Sequence, residues 1–316
     1  MKFFNPQDRL EDAEFQNWLS SAVQKFWFSG FDRTAGSAYH EKIRQYLSAG
    51  EFCCWGVENF GNLGIAILAP CNWETSIIGR AVAQVLFLGS DDYTTAAALC
   101  EEIRQYCVNQ QMAFVSADPG VSPAYIICAL EQAGFHVASH YYQWVAKTSD
   151  LTNKASRLAQ KYTFRIATSE DESVVGEIAS KEFVDGRYLA DPFIPQEYGN
   201  QLYAAWAANS CRGYDDVVIL YEKNQEIVGF VTGKVEPSRK VARLGLLAVK
   251  STMQNKGIGL ALLAKAFLWC AEQGVELIRL GTQKPNIEIN RIYLHFGFVI
   301  EESGLVLHWT SPEYNC

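Results

Sequence analysis

The chain has 316 residues, about twice the size of a common single domain, so two domains or one duplicated unit is the first expectation. Its 49% hydrophobic and 20% charged residues belong to a folded globular chain and exclude collagen-like and disordered classes. A net charge of −8, from 27 basic and 35 acidic residues, argues against sequence-independent binding to nucleic acid or to an anionic membrane. Any anionic ligand must therefore be held by a local device.

The N-terminal apolar residues are interrupted by charge by Asp8, which leaves no signal-peptide core, and no 18-residue apolar run follows. These features predict a cytoplasmic protein without a membrane partner. Nine cysteines, none in a CxxC pair, fit buried free thiols in a reducing compartment.

In chain order, residues 12–48 have helical apolar spacing, and 52–70 read as a hairpin turning at Asn59 to Asn62. A strand at 81–88, a helix at 93–110, a strand at 112–117 and a helix ending near Gln132 follow. The turn Gly134-Phe135 leads into a long strand to about Lys147. Polar residues 148–159 look like a linker, so the expected domains are 1–150 and 160–316.

The second half repeats this order. It has a strand at 162–167, helices at 170–183 and 196–209, and strands at 217–222, 226–235 and 242–249. A glycine loop at 254–259, a helix to Gln273, a strand at 276–281, a helix around 288–295, Gly297-Phe298 and a closing strand complete it. ALEQAGF (129–135) matches IYLHFGF (292–298) in its apolar and Gly-Phe positions, which points to a tandem α/β duplication.

The loop Gln254, Asn255, Lys256, Gly257, Ile258, Gly259 follows the apolar strand LGLLAV and opens an amphipathic helix. The unpaired amides of a helix N-terminus point outward, and its dipole favours an anion. Gly257 and Gly259 allow close approach without a Cβ. The spacing is that of neither a Rossmann nor a P-loop motif.

Q-x-x-G-x-G after an apolar strand resembles the pyrophosphate-binding signature of the GNAT superfamily of acyl-CoA N-acetyltransferases. TQKPNIEINRIYLHFGF, with Asn286 and Tyr293 seven residues apart, is similar to that superfamily's later motif. The resemblance spans 160–316 and implies tandem GNAT-type mixed-sheet domains with acetyl-CoA as acyl donor. It further implies that backbone groups of Leu247, Ala248 and Val249, on a strand splayed from its neighbour, bond the pantetheine arm, that Asn286 contacts the same arm, and that Tyr293 reprotonates the leaving thiolate. Asn286 also reads as a helix cap, Tyr293 as a packing tyrosine, and Lys256 as either a phosphate contact or a solvated lysine.

Residues 186–213, 242–249 and 282–293 resemble the dTDP-fucosamine acetyltransferase family, which implies the 4-amino group of a nucleotide-linked deoxysugar as acceptor. NWETSIIGRAVAQV (72–85) is similar to that family's N-terminal pattern, with Ile77 and Ile78 where an aromatic is expected. Another small-molecule or protein amine, or a non-catalytic acyl-CoA-binding scaffold, remains open. Arg187, Tyr188, Asp191 and Tyr203 are the candidate acceptor contacts.

A phenol pKa near 10 lies above a thiol near 8.5, so Tyr293 suits the role of general acid. Glu182, Asp185, Glu236 and His295 are base candidates by type alone, and no histidine has metal-ligand spacing. Where the second half has its glycine loop, the first half reads GSDDYTT, whose Asp91 and Asp92 would repel a pyrophosphate. The N-terminal copy is therefore expected to be degenerate. Pairing of strand edges allows a homodimer without requiring one.

Overall fold

The computed structural model describes residues 1–26, 36–120, 122–236 and 240–314; Cys316, one of the nine thiols, lies outside them. The chain divides into two compact units, Met1–Ser139 with Gly304–Cys316, and His140–Ser303. The boundary expected within 150–160 is thus replaced by two cuts, at Ser139/His140 and at Ser303/Gly304.

In the first unit, β1 (Lys2–Phe4), α1 (Ala13–Lys25) and α2 (Gly36–Ser48) precede the hairpin of β2 (Cys53–Asn59) and β3 (Asn62–Pro70). Asn59 faces Asn62, and Phe60 and Gly61 both turn with positive φ, the two-residue geometry whose twist matches a hairpin. Then come α3 (Asn72–Ile78), β4 (Val82–Ser90), α4 (Tyr93–Asn109), β5 (Phe114–Ala117) and α5 (Ala124–Gln132). β1 to β5 lie in sequence order, antiparallel except for the parallel β4–β5 pair. Beyond β5 runs Leu307–Thr310 of the last strand, β12 (Val299–Thr310), antiparallel to it.

The second unit contains α6 (Thr148–Ala159), β7 (Phe164–Ile166), α7 (Glu172–Glu182), α8 (Gln196–Asn209), β8 (Val217–Lys223), β9 (Glu226–Glu236) and β10 (Val241–Val249). α9 (Ile258–Glu272), β11 (Leu277–Gln283) and α10 (Ile287–Phe296) follow. Its strands run β7-β8-β9-β10-β11, antiparallel except for the parallel β10–β11 pair. Tyr141–Lys147 of β6 (His136–Lys147) close the sheet against β11. Each unit is therefore completed by a strand that follows the other unit's last helix along the chain. The duplication is real in element order, but the closing strands are exchanged.

Residues 148–159 are a helix rather than a linker. Leu151, Ala155 and Ala159 recur at every fourth position and are buried with Leu262, Phe267 and Cys270 of α9. The polar composition belongs to its outer face. Phe267 packs edge-on to Phe296 at 5.0 Å and lies 5.5 Å from Phe298, and each such ring contributes about 1.5–3 kcal/mol on burial. Gly134 and Gly297, both at positive φ, end α5 and α10 in the same way and turn Phe135 and Phe298 into the two cores.

Candidate active site

The parallel ladder between β10 and β11 runs only from Val241–Leu277 to Leu244–Leu280, although both strands continue. Its end has a local cause. Gly245 and Leu246 oppose the single residue Thr232 of β9, a bulge that bends β10. The Leu246 amide donates to the buried Thr232 Oγ1 at 3.0 Å, so that amide keeps a partner inside the bulge. Past the bulge, Leu247, Ala248 and Val249 pair with β9 on one side and lie beyond the β11 ladder on the other. β10 and β11 thus form a fork, the splay expected from the resemblance.

The chain leaves the fork through Ser251–Met253 and the loop that opens α9. Gly257 is the N-cap, at φ 78°, and no acidic side chain lies in the first turn, so the first amides of a 15-residue helix face outward. A Cβ on Gly257 would lie 3.2 Å from the Tyr162 hydroxyl, and one on Gly259 would meet Val249 Cγ2 at 3.8 Å, which sets the helix start against the end of β10. Gln254 donates through Nε2 to the Val249 carbonyl at 2.9 Å and to Glu182 at 3.4 Å. Lys256 turns its ammonium back to the Thr252 carbonyl at 3.0 Å, while its own carbonyl accepts from Tyr162. The side chains of Gln254 and Lys256 thus brace the loop, and Asn255, at φ 60°, helps it turn.

Asn286 caps α10, its Oδ1 accepting from the Ile289 amide at 3.3 Å. Asn290, which the sequence reading overlooks, is buried and makes four hydrogen bonds. Its Nδ2 donates to the carbonyls of Gln283, Lys284 and Asn286, and its Oδ1 accepts from Trp144 Nε1 at 3.1 Å. Asn290→Ala should strip partners from the indole and the turn together, lowering stability by about 2–4 kcal/mol in chemical denaturation. A loss below 1 kcal/mol would show that water replaces the amide.

Tyr293 lies two helical turns after Asn286, 5% exposed, its ring edge-on to Trp144 at 6.0 Å. Trp144 is the register partner of Leu280, the last β11 residue that pairs with β10, so Tyr293 packs beside the fork. Burial pushes its phenol above the ordinary value, which keeps it protonated and able to donate.

Three of the four candidate acceptor contacts, Arg187, Tyr188 and Tyr203, pack together. Asp191, 2% exposed, accepts from the Phe193 amide at 2.9 Å, and Arg187 lies over the Tyr188 ring at 4.6 Å while donating to its hydroxyl. Tyr203 stacks on Phe183 at 4.7 Å and on Trp206 at 6.3 Å, and burial lifts its phenol to about 12. None of the four lines the cavity of about 300 Å³ whose wall includes Leu244, Gly245 and Gly281, the residues at and just past the end of the ladder. Of the base candidates, Glu182 meets Gln254 and Glu236 meets Arg243, and neither lines the cavity. Asp215, absent from the sequence reading, does line it and accepts from Ser210 Oγ at 2.6 Å.

Among the described residues there is no cluster of three or more potential metal ligands and no helix long and apolar enough to cross a membrane. In the first unit the link from β4 to α4 is only Asp91 and Asp92. Asp92 caps α4 by accepting from the Thr95 amide at 2.7 Å, and Asp91 accepts from the Leu63 amide and Trp18. A carboxylate thus takes the Thr95 amide on α4, whereas the start of α9 has no side-chain cap.

The sequence model of the acetyltransferase (GNAT) family matches residues 175–298. The chain is 29% identical over 261 residues to the spore coat polysaccharide biosynthesis protein SpsD of Bacillus subtilis (strain 168), covering 81% of this chain and 87% of that protein. Among solved structures, a tandem GNAT protein from the clavulanic acid biosynthesis pathway has a TM-score of 0.56 at 14% identity, with 97% of each chain covered. A GCN5-related N-acetyltransferase from Sphaerobacter thermophilus has a TM-score of 0.58 at 14% identity, over 85% of this chain and 84% of that one. At such identity the structural likeness speaks for the fold alone, here a tandem GNAT architecture. Residues 175–298 thus carry the sequence pattern of the GNAT acetyltransferase family, within a chain whose fold is that of a tandem GNAT protein.

Proposed function

We propose that the second unit takes acetyl-CoA and passes its acetyl group directly to an amine. The observation that carries this reading is the uncapped N-terminus of α9 abutting the β10–β11 fork. Glycine at 257 and 259 leaves room that a Cβ would narrow, which fits a pyrophosphate at the helix start. Each amide donated to a phosphate oxygen contributes about 1.5–3 kcal/mol. Bound acetyl-CoA supplies the thioester carbonyl that the amine attacks. The backbone of Leu247, Ala248 and Val249 orients the pantetheine arm, Asn286 adds a polar contact at the α10 turn, and Tyr293 gives its proton to the departing thiolate.

The acceptor we favour is the 4-amino group of a nucleotide-linked deoxysugar. Support comes from the sequence resemblance and from SpsD, whose name places that relative in polysaccharide synthesis. The first unit binds no acyl-CoA, because Asp92 holds the Thr95 amide at the start of α4. The reaction belongs in the cytoplasm, a setting that suits the eight free thiols of the described residues.

The test is thiol release from acetyl-CoA against a panel of amines including dTDP-linked 4-amino-deoxysugars, with mass spectrometry of products and a binding stoichiometry. The expected result is one acetyl-CoA per chain and preferential acetylation of the sugar nucleotide. Acetylation of a different amine would remove the sugar assignment, and absence of acetyl-CoA binding would remove the whole reading.

A further inference from the structure

The cavity at the fork has a charge pattern that none of the motif residues accounts for. Lys234 of β9, Arg243 of β10 and Arg279 of β11 all line it, against the single carboxylate of Asp215 among the described lining residues. Adjacent strands bring these cations onto one sheet face, since Arg243 is the register partner of both Lys234 and Arg279. Three like charges so close repel one another, and the carboxylates of Glu236 and Glu301 answer two of them.

Carboxylates hold the two guanidinium groups from outside the lining. Glu301 takes the Nε and Nη2 edge of Arg279 at 2.7 Å each, and Glu236 accepts from Arg243 Nε at 2.8 Å. Lys234 is anchored on the Tyr214 carbonyl at 2.6 Å with its ammonium 4.3 Å from that ring's centre. Such contacts fix the heads in place, and a positioned guanidinium recognises phosphate by paired hydrogen bonds. Trp206 and Gln143 line the same cavity and supply an aromatic face and an amide.

We infer that this cavity receives the phosphate-bearing part of the acceptor, with Arg243, Arg279 and Lys234 as its anion contacts. Gly245 and Gly281, each one residue past the last ladder pair, form part of its wall, and a Cβ on them would meet the side chains of Thr232 and Gln143. An acceptor held there by its phosphate presents its amine toward the opening between β10 and β11. This deepens the acetyltransferase reading and rests on it.

The test is calorimetric titration of the full chain saturated with CoA, so that the helix N-terminus does not compete for the probes. dTDP is compared with thymidine, and glucosamine 6-phosphate with glucosamine. The expected result is at least tenfold tighter binding of one phosphorylated probe than of its phosphate-free partner, with Arg279→Gln and Arg243→Gln each erasing that preference. Which probe is preferred identifies a nucleoside diphosphate or a sugar phosphate as the source. Arg243 has a side chain 49% exposed, so its substitution keeps the test valid even if Arg279→Gln fails to fold. No preference for phosphate, or a preference surviving Arg243→Gln, overturns the inference. If CoA itself does not bind, the acetyltransferase reading falls separately, and the same titrations without CoA still decide the cavity.

Discussion

Gly257→Asp should raise the dissociation constant for acetyl-CoA by more than about 100-fold while leaving the fold intact. Gly257 is the N-cap of α9, where the first amides carry no side-chain cap. The left-handed φ of 78° is one that Asp tolerates better than most side chains. The new carboxylate sets a negative charge where the pyrophosphate is proposed to lie. Losing two amide–phosphate bonds at about 1.5–3 kcal/mol each corresponds to roughly 10²–10⁴ in affinity. The substitution sets a carboxylate at the start of α9, as Asp92 does at the start of α4, but from a left-handed rather than an extended backbone. Calorimetry of acetyl-CoA binding with a parallel thermal melt reads both halves of the expectation. Undiminished affinity in a folded variant would show that the α9 N-terminus does not hold the donor.

Tyr293→Phe should lower kcat by about 10²–10⁴ while changing the acetyl-CoA dissociation constant less than about twofold. The ring's contacts with Trp144 and Phe298 are apolar, and the hydroxyl makes no hydrogen bond among the described residues, so phenylalanine keeps the packing. Thermal stability at neutral pH is therefore expected to be unchanged. The pH dependence separates the two proteins further. Burial raises the Tyr293 pKa in the folded state above its unfolded value near 10, so the folded state holds that proton more tightly. Its contribution is complete below about pH 10 and is lost as pH climbs through the folded value, so the native protein loses alkaline stability relative to Tyr293→Phe. Single-turnover measurement isolates the chemical step from product release. A chemical rate equal to that of the native protein would exclude Tyr293 as proton donor.

Several parts of this molecule are written in short stretches of chain. A helix start needs only the residues around it, so Gly257 and Gly259 after an apolar strand mark the turn that opens α9 without tertiary information. The same holds for the Gly-Phe endings at 134–135 and 297–298, where a left-handed glycine must follow a helix and an aromatic must then be buried. The Asn59–Asn62 hairpin and the carboxylate pair at Asp91 and Asp92 are equally local. These signals were enough to establish a duplicated α/β chain with its open helix N-terminus in the second copy.

Partner choice is not local. Alternating apolar residues make β6 and β12 strands, but nothing within either segment says that β6 pairs with β11 or that β12 pairs with β5. Composition likewise misleads at 148–159, where a helix keeps its polar residues outward and only the fourfold spacing of Leu151, Ala155 and Ala159 shows what it buries. The bulge at Gly245 depends on a Thr232 hydroxyl contributed by the neighbouring strand. Asn290 becomes a hub only when Trp144 arrives from β6. Lys234, Arg243 and Arg279 are ordinary charges along the chain and become one site because strand register sets them side by side. Sequence by itself determined most of the elements, their duplication and the glycine turn that opens α9, since each follows from backbone preference and side-chain periodicity over a few residues. Tertiary structure alone decided which strand completes each sheet, where β10 parts from β11 and which cations share a cavity, because those depend on hydrogen bonds and packing between residues far apart in the chain.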